Sequence, residues 1–248
     1  MDTRQWAEHL ASIVAPVLAG TPLDPSSVSP CDDQHRGAFI DSFRDELGHR
    51  RAIDRPLLLH LLGCRPEEKT DPGARTIGDP NASLDVRLWW ALASGSAEGS
   101  AEGSAHTELL ALALAQEGIA PIIGEPAFQA GAIEATTETE LGALHALMNL
   151  ADAVGRTGGD GAEISERIRE RCLDAARWHA DTLQPDNGTN HPWAIHVFVS
   201  LAQADASYAM PAELHAQALL HNAMVRTGRP DRFSACLLLD ASRALARG

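Results

Sequence analysis

Residues 138–156 read ETELGALHALMNLADAVGR. Glu138, His145, Asn149, Asp152 and Arg156 recur there at steps of seven, four, three and four. At about 100° per residue, these five fall within about 60° of one helix face. The rest of the circumference is almost wholly alanine, leucine and methionine. A helix that is apolar nearly all round is packed on most of its sides. The stretch therefore predicts an inner helix over 138–155 with one narrow polar stripe. Thr137 and Glu140 have the spacing of a capping box, which places the helix start at 138.

The same signature returns twice downstream. Segment 191–204 carries His196, Ser200 and Gln203 at helical spacing, with Trp193 one turn earlier. Segment 231–247 carries Cys236, Asp240 and Arg243. Segments 161–183 and 211–227, which lie between, are amphipathic. In the first, Ile164, Ile168, Cys172, Ala175, Ala176 and Leu183 form an apolar stripe opposite Glu163, Arg167, Glu170, Asp174, Arg177 and Asp181. Inner-type and outer-type helices thus alternate, as in a two-layer stack of antiparallel hairpins. Asp231 is a good N-cap. Pro192 suits a first turn. Gly158 and Gly228 each close an Arg-Thr-Gly segment, as C-terminal caps do.

The first half is less regular. Helices are predicted near 2–19, 36–49, 55–64, 83–94 and 105–118, about ten in all, with no strand. His60 stands alone among the leucines of 55–64. Residues 95–106 are a tandem Gly-Ser-Ala-Glu repeat that reads as a flexible loop. The expected organisation is one all-α domain over 1–248, with a looser N-terminal portion at 1–82.

Composition bounds the function. The 248 residues carry a net charge of −14 and contain one lysine, Lys69. Such acidity argues against nucleic acid or an anionic membrane as partner. No window approaches ~18 unbroken apolar residues, so no membrane span is expected. The N-terminus has no signal-peptide core, so a cytoplasmic location is expected. The four cysteines form no C-x-x-C pair and the eleven histidines are dispersed. With no H-E-x-x-H, dinucleotide, P-loop or G-x-S-x-G pattern, no metal and no cofactor are expected.

The alternation of helices, with the loop Gln184-Pro185-Asp186-Asn187-Gly188-Thr189-Asn190-His191-Pro192-Trp193, resembles the α/α-toroid superfamily of six-hairpin glycosidase-like and terpenoid-cyclase-like barrels. That resemblance is architectural and implies a toroid or partial toroid. It implies an active cleft at one mouth, beneath loops 133–138, 184–193 and 228–233. The polar residues there are Glu134, Thr136 and Glu138, then Asp186, Asn187, Asn190 and His191, then Arg229, Asp231 and Arg232.

Burying histidine, aspartate and arginine without partners costs several kcal/mol each. The stripes must therefore face one another or a wet cavity. In the cavity reading, His145 is a general base oriented by Asp152. Asp186 with Glu138 is a carboxylate pair suited to glycosidic chemistry. Asn149, Asn187, Asn190, His191, His196 and Asp240 bind ligand, and Trp193 offers a sugar-stacking face. The expected partner is then a small polar ligand such as a saccharide. In the alternative, the stripes are a satisfied buried network that fixes helix register in an interaction scaffold, and Trp193 simply packs on its neighbour. The sequence leaves both open, and it leaves oligomeric state open.

Overall fold

A computed structural model describes residues 1–27, 32–44, 53–64, 82–94, 114, 133–156, 160–182 and 189–247. Nine helices and no strand lie within them: α1 (Thr3–Leu18), α2 (Asp33–Ser42), α3 (Asp54–Leu62), α4 (Leu84–Ser94), α5 (Ile133–Gly155), α6 (Asp160–Thr182), α7 (Ile195–Ala204), α8 (Ala209–Met224) and α9 (Arg232–Arg247). The repeat at 95–106, nearly all of the helix expected at 105–118, and Gly158 fall outside the described residues.

Several helix ends follow directly from local chemistry. Asp2 and Gln5 close a reciprocal capping box at the start of α1. Asp32 accepts the His35 backbone N–H at 2.7 Å, capping α2. Asp231 accepts the Ser234 N–H at 2.6 Å, so the cap expected for α9 is present. Gly63 after α3 has φ 65° and Gly228 after α8 has φ 72°. Both sit in the left-handed region that glycine enters without a Cβ penalty.

Three starts differ from expectation. The helix expected at 36–49 begins at Asp33, where Asp32 caps it, and ends at Ser42. α5 begins at Ile133, which puts Thr137 and Glu140 inside the helix, both buried. The capping-box spacing is equally compatible with a helix interior, and here the interior is what formed. α7 begins at Ile195, not at Pro192, because Ala194 adopts φ 55°, ψ 17° and breaks the helix before it.

Neighbouring helices pack pairwise: α3 on α4, α4 on α5, α5 on α6, α6 on α7 and α7 on α8. The two ends of the chain meet, since α1 packs along α9. They run antiparallel: Ser242 near the end of α9 donates to the Ala7 carbonyl near the start of α1. α9 also touches α3 and α7, and α5 touches α7. The inner helices are the ones expected: every residue of α9 from Phe233 to Ser242 is buried, as is α7 from Ile195 to Val199. α6 and α8 keep a solvated face.

One hydrophobic cluster joins all nine helices, from Trp6 and Leu10 through Leu57, Trp89 and Leu144 to Phe198 and Leu238. Cys172 and Cys236 are fully buried within it, and burial pushes both thiols well above their usual range. No helix among the described residues is long and apolar enough to cross a membrane.

Candidate functional site

The polar stripe of α5 runs the length of the assembly and meets different partners at its start, middle and end. In the middle, Asp240 of α9 collects three side chains. His60 Nε2 lies 3.1 Å from its Oδ1. His145 Nε2 lies 3.2 Å from its Oδ2, and Asn149 Nδ2 donates to the same oxygen at 2.8 Å. These groups come from α3, α5 and α9, so alternate helices do converge.

The geometry fixes the His145 tautomer. Its Nδ1 accepts the Ala194 backbone N–H at 3.1 Å, so the ring hydrogen sits on Nε2 and points at Asp240. Ala194 is the one non-glycine residue with positive φ among the described residues. A side-chain-bearing residue rarely takes that conformation. The bond to His145 and full burial hold it there. Burial alone would raise the Asp240 pKa. The neighbouring His60 charge and the hydrogen bonds from His145 and His60 prevail and hold the carboxyl well below the usual range.

This arrangement corrects the expected acid–base pair. The carboxylate that orients His145 is Asp240, not Asp152. Seven residues along a helix is about 10 Å of rise, too far for Asp152 to reach the ring. His145 is also unsuited to proton abstraction from a ligand: it is 0% exposed and both its nitrogens are engaged.

At the start of the stripe, Glu138 accepts from Trp193 Nε1 at 3.3 Å and lies 3.8 Å from His191 Nε2. His191 Nδ1 lies 3.1 Å from Ser234 Oγ. Trp193 is fully buried, packed against the rings of Trp89, His145 and Phe233. Its faces are covered, which corrects the sugar-stacking role. Asn190 is exposed. Asp186 and Asn187 fall outside the described residues, so the proposed Asp186–Glu138 pair has no described geometry. Beside this end, Arg229, Asp231 and Arg232 border a recess of about 420 Å³ with Pro16 and Arg44.

The far end of the stripe opens into a larger cleft of about 490 Å³. Its polar lining is Thr3 of α1, Asp152 of α5 with Arg156 just beyond it, Arg169 of α6, His196 and Ser200 of α7, and Arg247 of α9. Met148, Ala244 and Leu245 supply an apolar wall. Arg169 pairs with Asp152. Arg247 lies 3.6 Å from Asp152 and also donates to Asn149 Oδ1 at 3.5 Å, linking the cleft to the Asp240 network. Exposed Arg156 makes no ion pair or hydrogen bond to a described residue.

His196 stands at the back of this cleft, 2% exposed, with its ring 4.4 Å from that of His145. Neither of its nitrogens has a hydrogen-bond partner among the described residues. Burial, with His145 adding to it, holds the ring well below its usual pKa and therefore neutral at pH 7.

No protein-family model, curated protein or solved structure matches the chain.

Of the residues singled out from the sequence as ligand-binding, the structure brings His196 to the cleft and pairs Asn149 with Asp240 in the buried network; Ser200 and Arg156 also line the cleft. Sequence reasoning missed Arg169 and Arg247 as cleft residues. Arg247 was within reach of the pattern, since Asp240, Arg243 and Arg247 step by three and four. Arg169 was hidden on an outer helix, where a cation reads as part of a solvated face.

Proposed function

We propose that this chain binds a small polar ligand in the cleft bordered by Asp152, His196, Ser200 and Arg247. The observation that carries the reading is His196. The large majority of buried side-chain polar atoms have a hydrogen-bond partner. His196 is a neutral imidazole on the back wall whose two nitrogens, both buried, have no hydrogen-bond partner among the described residues, which leaves a donor and an acceptor for a ligand that presses into the wall. Ser200 gives its hydroxyl hydrogen to the His196 carbonyl at 2.8 Å, which leaves its oxygen as a further acceptor. The cleft volume also falls within the range of small-molecule sites.

The saccharide form of this reading has no stacking face behind it once Trp193 is sealed. The His60–Asp240–His145–Asn149 network fits the other reading, a buried polar lock that sets helix register. The cleft at the far end of the same stripe is not explained by such a lock.

The test is a thermal-shift panel of sugars, sugar phosphates, amino acids and carboxylic acids, on the wild type and on Ser200→Leu, which fills the cleft. A ligand that binds only the folded state raises Tm in proportion to the logarithm of its concentration over Kd. The reading expects at least one compound to raise the wild-type Tm and to lose that effect in the variant. No shift across the panel, or equal shifts in both proteins, removes the cleft.

A further inference from the structure

Resting on that reading, we infer that the ligand is a small organic dianion, with Arg156 as its charge partner and Asp152 as the internal anion it displaces. The whole chain carries a net charge of −14. The cleft runs against that balance, with three guanidinium groups facing one carboxylate. His196 adds a donor without adding charge.

The three arginines are held differently. Arg247 is anchored by Asn149, itself fixed by Asp240. Arg169 and Arg247 approach the Asp152 carboxylate from two helices, the arrangement a bound carboxylate or phosphate would find. Planar guanidinium forks suit both anions. The side chains of Arg169 and Arg247 are 41% and 42% exposed and that of Asp152 is 12% exposed, so both guanidinium groups reach solvent and an incoming anion while the carboxylate between them is largely covered. Arg156 is left with no counter-ion among the described residues. With Asp152 turned aside, the cleft offers the positive charges of Arg156, Arg169 and Arg247 beside Met148 and Leu245. That combination fits a doubly charged head on a short carbon body, whether a phosphate monoester or a dicarboxylate.

Isothermal titration at low ionic strength tests this with glucose 6-phosphate, succinate and neutral glucose as probes. The wild type is expected to bind glucose 6-phosphate or succinate, which tells the two sources apart, and not glucose. Arg156→Ala removes an exposed side chain, leaves the circular dichroism and Tm unchanged, and weakens binding about tenfold, the usual worth of one charge-assisted contact. Asp152→Asn removes the internal competitor and tightens binding about tenfold, an effect that loss of a merely structural ion pair would not give. Raising the salt to about 0.5 M weakens binding in both backgrounds. Glucose binding that ignores Arg156→Ala overturns the dianion while leaving the polar cleft standing. Unchanged or weaker anion binding in Asp152→Asn overturns the displacement. No binding of any probe, joined to a flat thermal-shift panel, overturns both.

Discussion

His145 and Asp240 are 95 residues apart in the chain and 3.2 Å apart in the fold. Their contact ties α5 to α9, and His60 extends it to α3. Removing the carboxylate leaves the His145 Nε2 hydrogen and one of the two Asn149 amide hydrogens buried without an acceptor; the Asn149 amide keeps only its bond to the His145 carbonyl at 3.2 Å. Asp240→Ala is expected to cost about 3–5 kcal/mol, the scale of breaking one partner out of a buried charged network. Urea unfolding at pH 7 measures it. The cost also depends on pH. Because the folded carboxyl titrates well below 3.8, its contribution is complete above that value and disappears as pH falls through the folded pKa. Wild type and variant should converge in strong acid; a gap that persists there would mean lost packing and not lost charge.

His215 stacks on Phe198 with ring centroids 4.1 Å apart. Burial, helped by nearby His179, lowers its pKa from 6.5 to about 3. The unfolded chain therefore takes up a proton below pH 6.5 that the folded protein refuses until about 3. Stability is full above 6.5 and declines between those limits, by about 1.4 kcal/mol per pH unit for one such group. His196 acts in the same direction. His215→Leu should make the decline shallower by one proton's worth, as read from denaturation midpoints at pH 7, 6 and 5. An unaltered slope would show that His215 is protonated in the fold.

Gly155 near the end of α5 has no room for a methyl group. A Cβ there would come 2.9 Å from Ser165 Oγ and 3.3 Å from Ser165 Cβ. Ser165 is not free to swing away, since its hydroxyl donates to the Ala151 carbonyl at 2.9 Å. Gly155→Ala is expected to destabilise by about 1–2 kcal/mol, against the gain of about 1 kcal/mol that alanine brings to an open helix position. Combining it with Ser165→Ala should recover much of the loss, giving a non-additive double-mutant cycle. Additive effects would show that the two residues do not meet.

Asp231→Ala removes the cap from α9, the most deeply buried helix. The expected cost is about 1 kcal/mol, with asparagine and serine restoring most of it. The comparison is made in thermal melts of the three variants; equal melts for alanine and asparagine would place the cap elsewhere.

What could be read from the sequence was whatever a single helix encodes. The stripe on 138–156, the solvated faces of α6 and α8, and the Asp231 cap all depend on neighbours a few residues away. His60 stood out as a lone polar residue among the leucines of α3, but nothing near it in the chain pointed to Asp240. Contacts between distant helices could not be read. Pairing His145 with Asp152 respected helix-face geometry but ignored the two turns of rise between them. The true partner lies on α9, where nothing in the spacing points back to residue 145. The break before α7 was equally hidden, because Ala194 is an unremarkable helix former forced into a left-handed turn by what surrounds it. The resemblance to a toroid directed attention to the loops around 133–138, 184–193 and 228–233. There Glu138 and Trp193 are closed against each other, and the His196 cleft lies at the other end of the same stripe.

The two sealed thiols give the molecule a built-in clock. Cys172 sits in α6 and Cys236 in α9, each wholly shielded and held in its unreactive protonated form. An alkylating reagent can reach either sulfur only when its helix parts from its neighbours. The pace at which each cysteine is modified therefore counts how often that helix departs, and a difference between the two would tell which layer of the stack comes apart first.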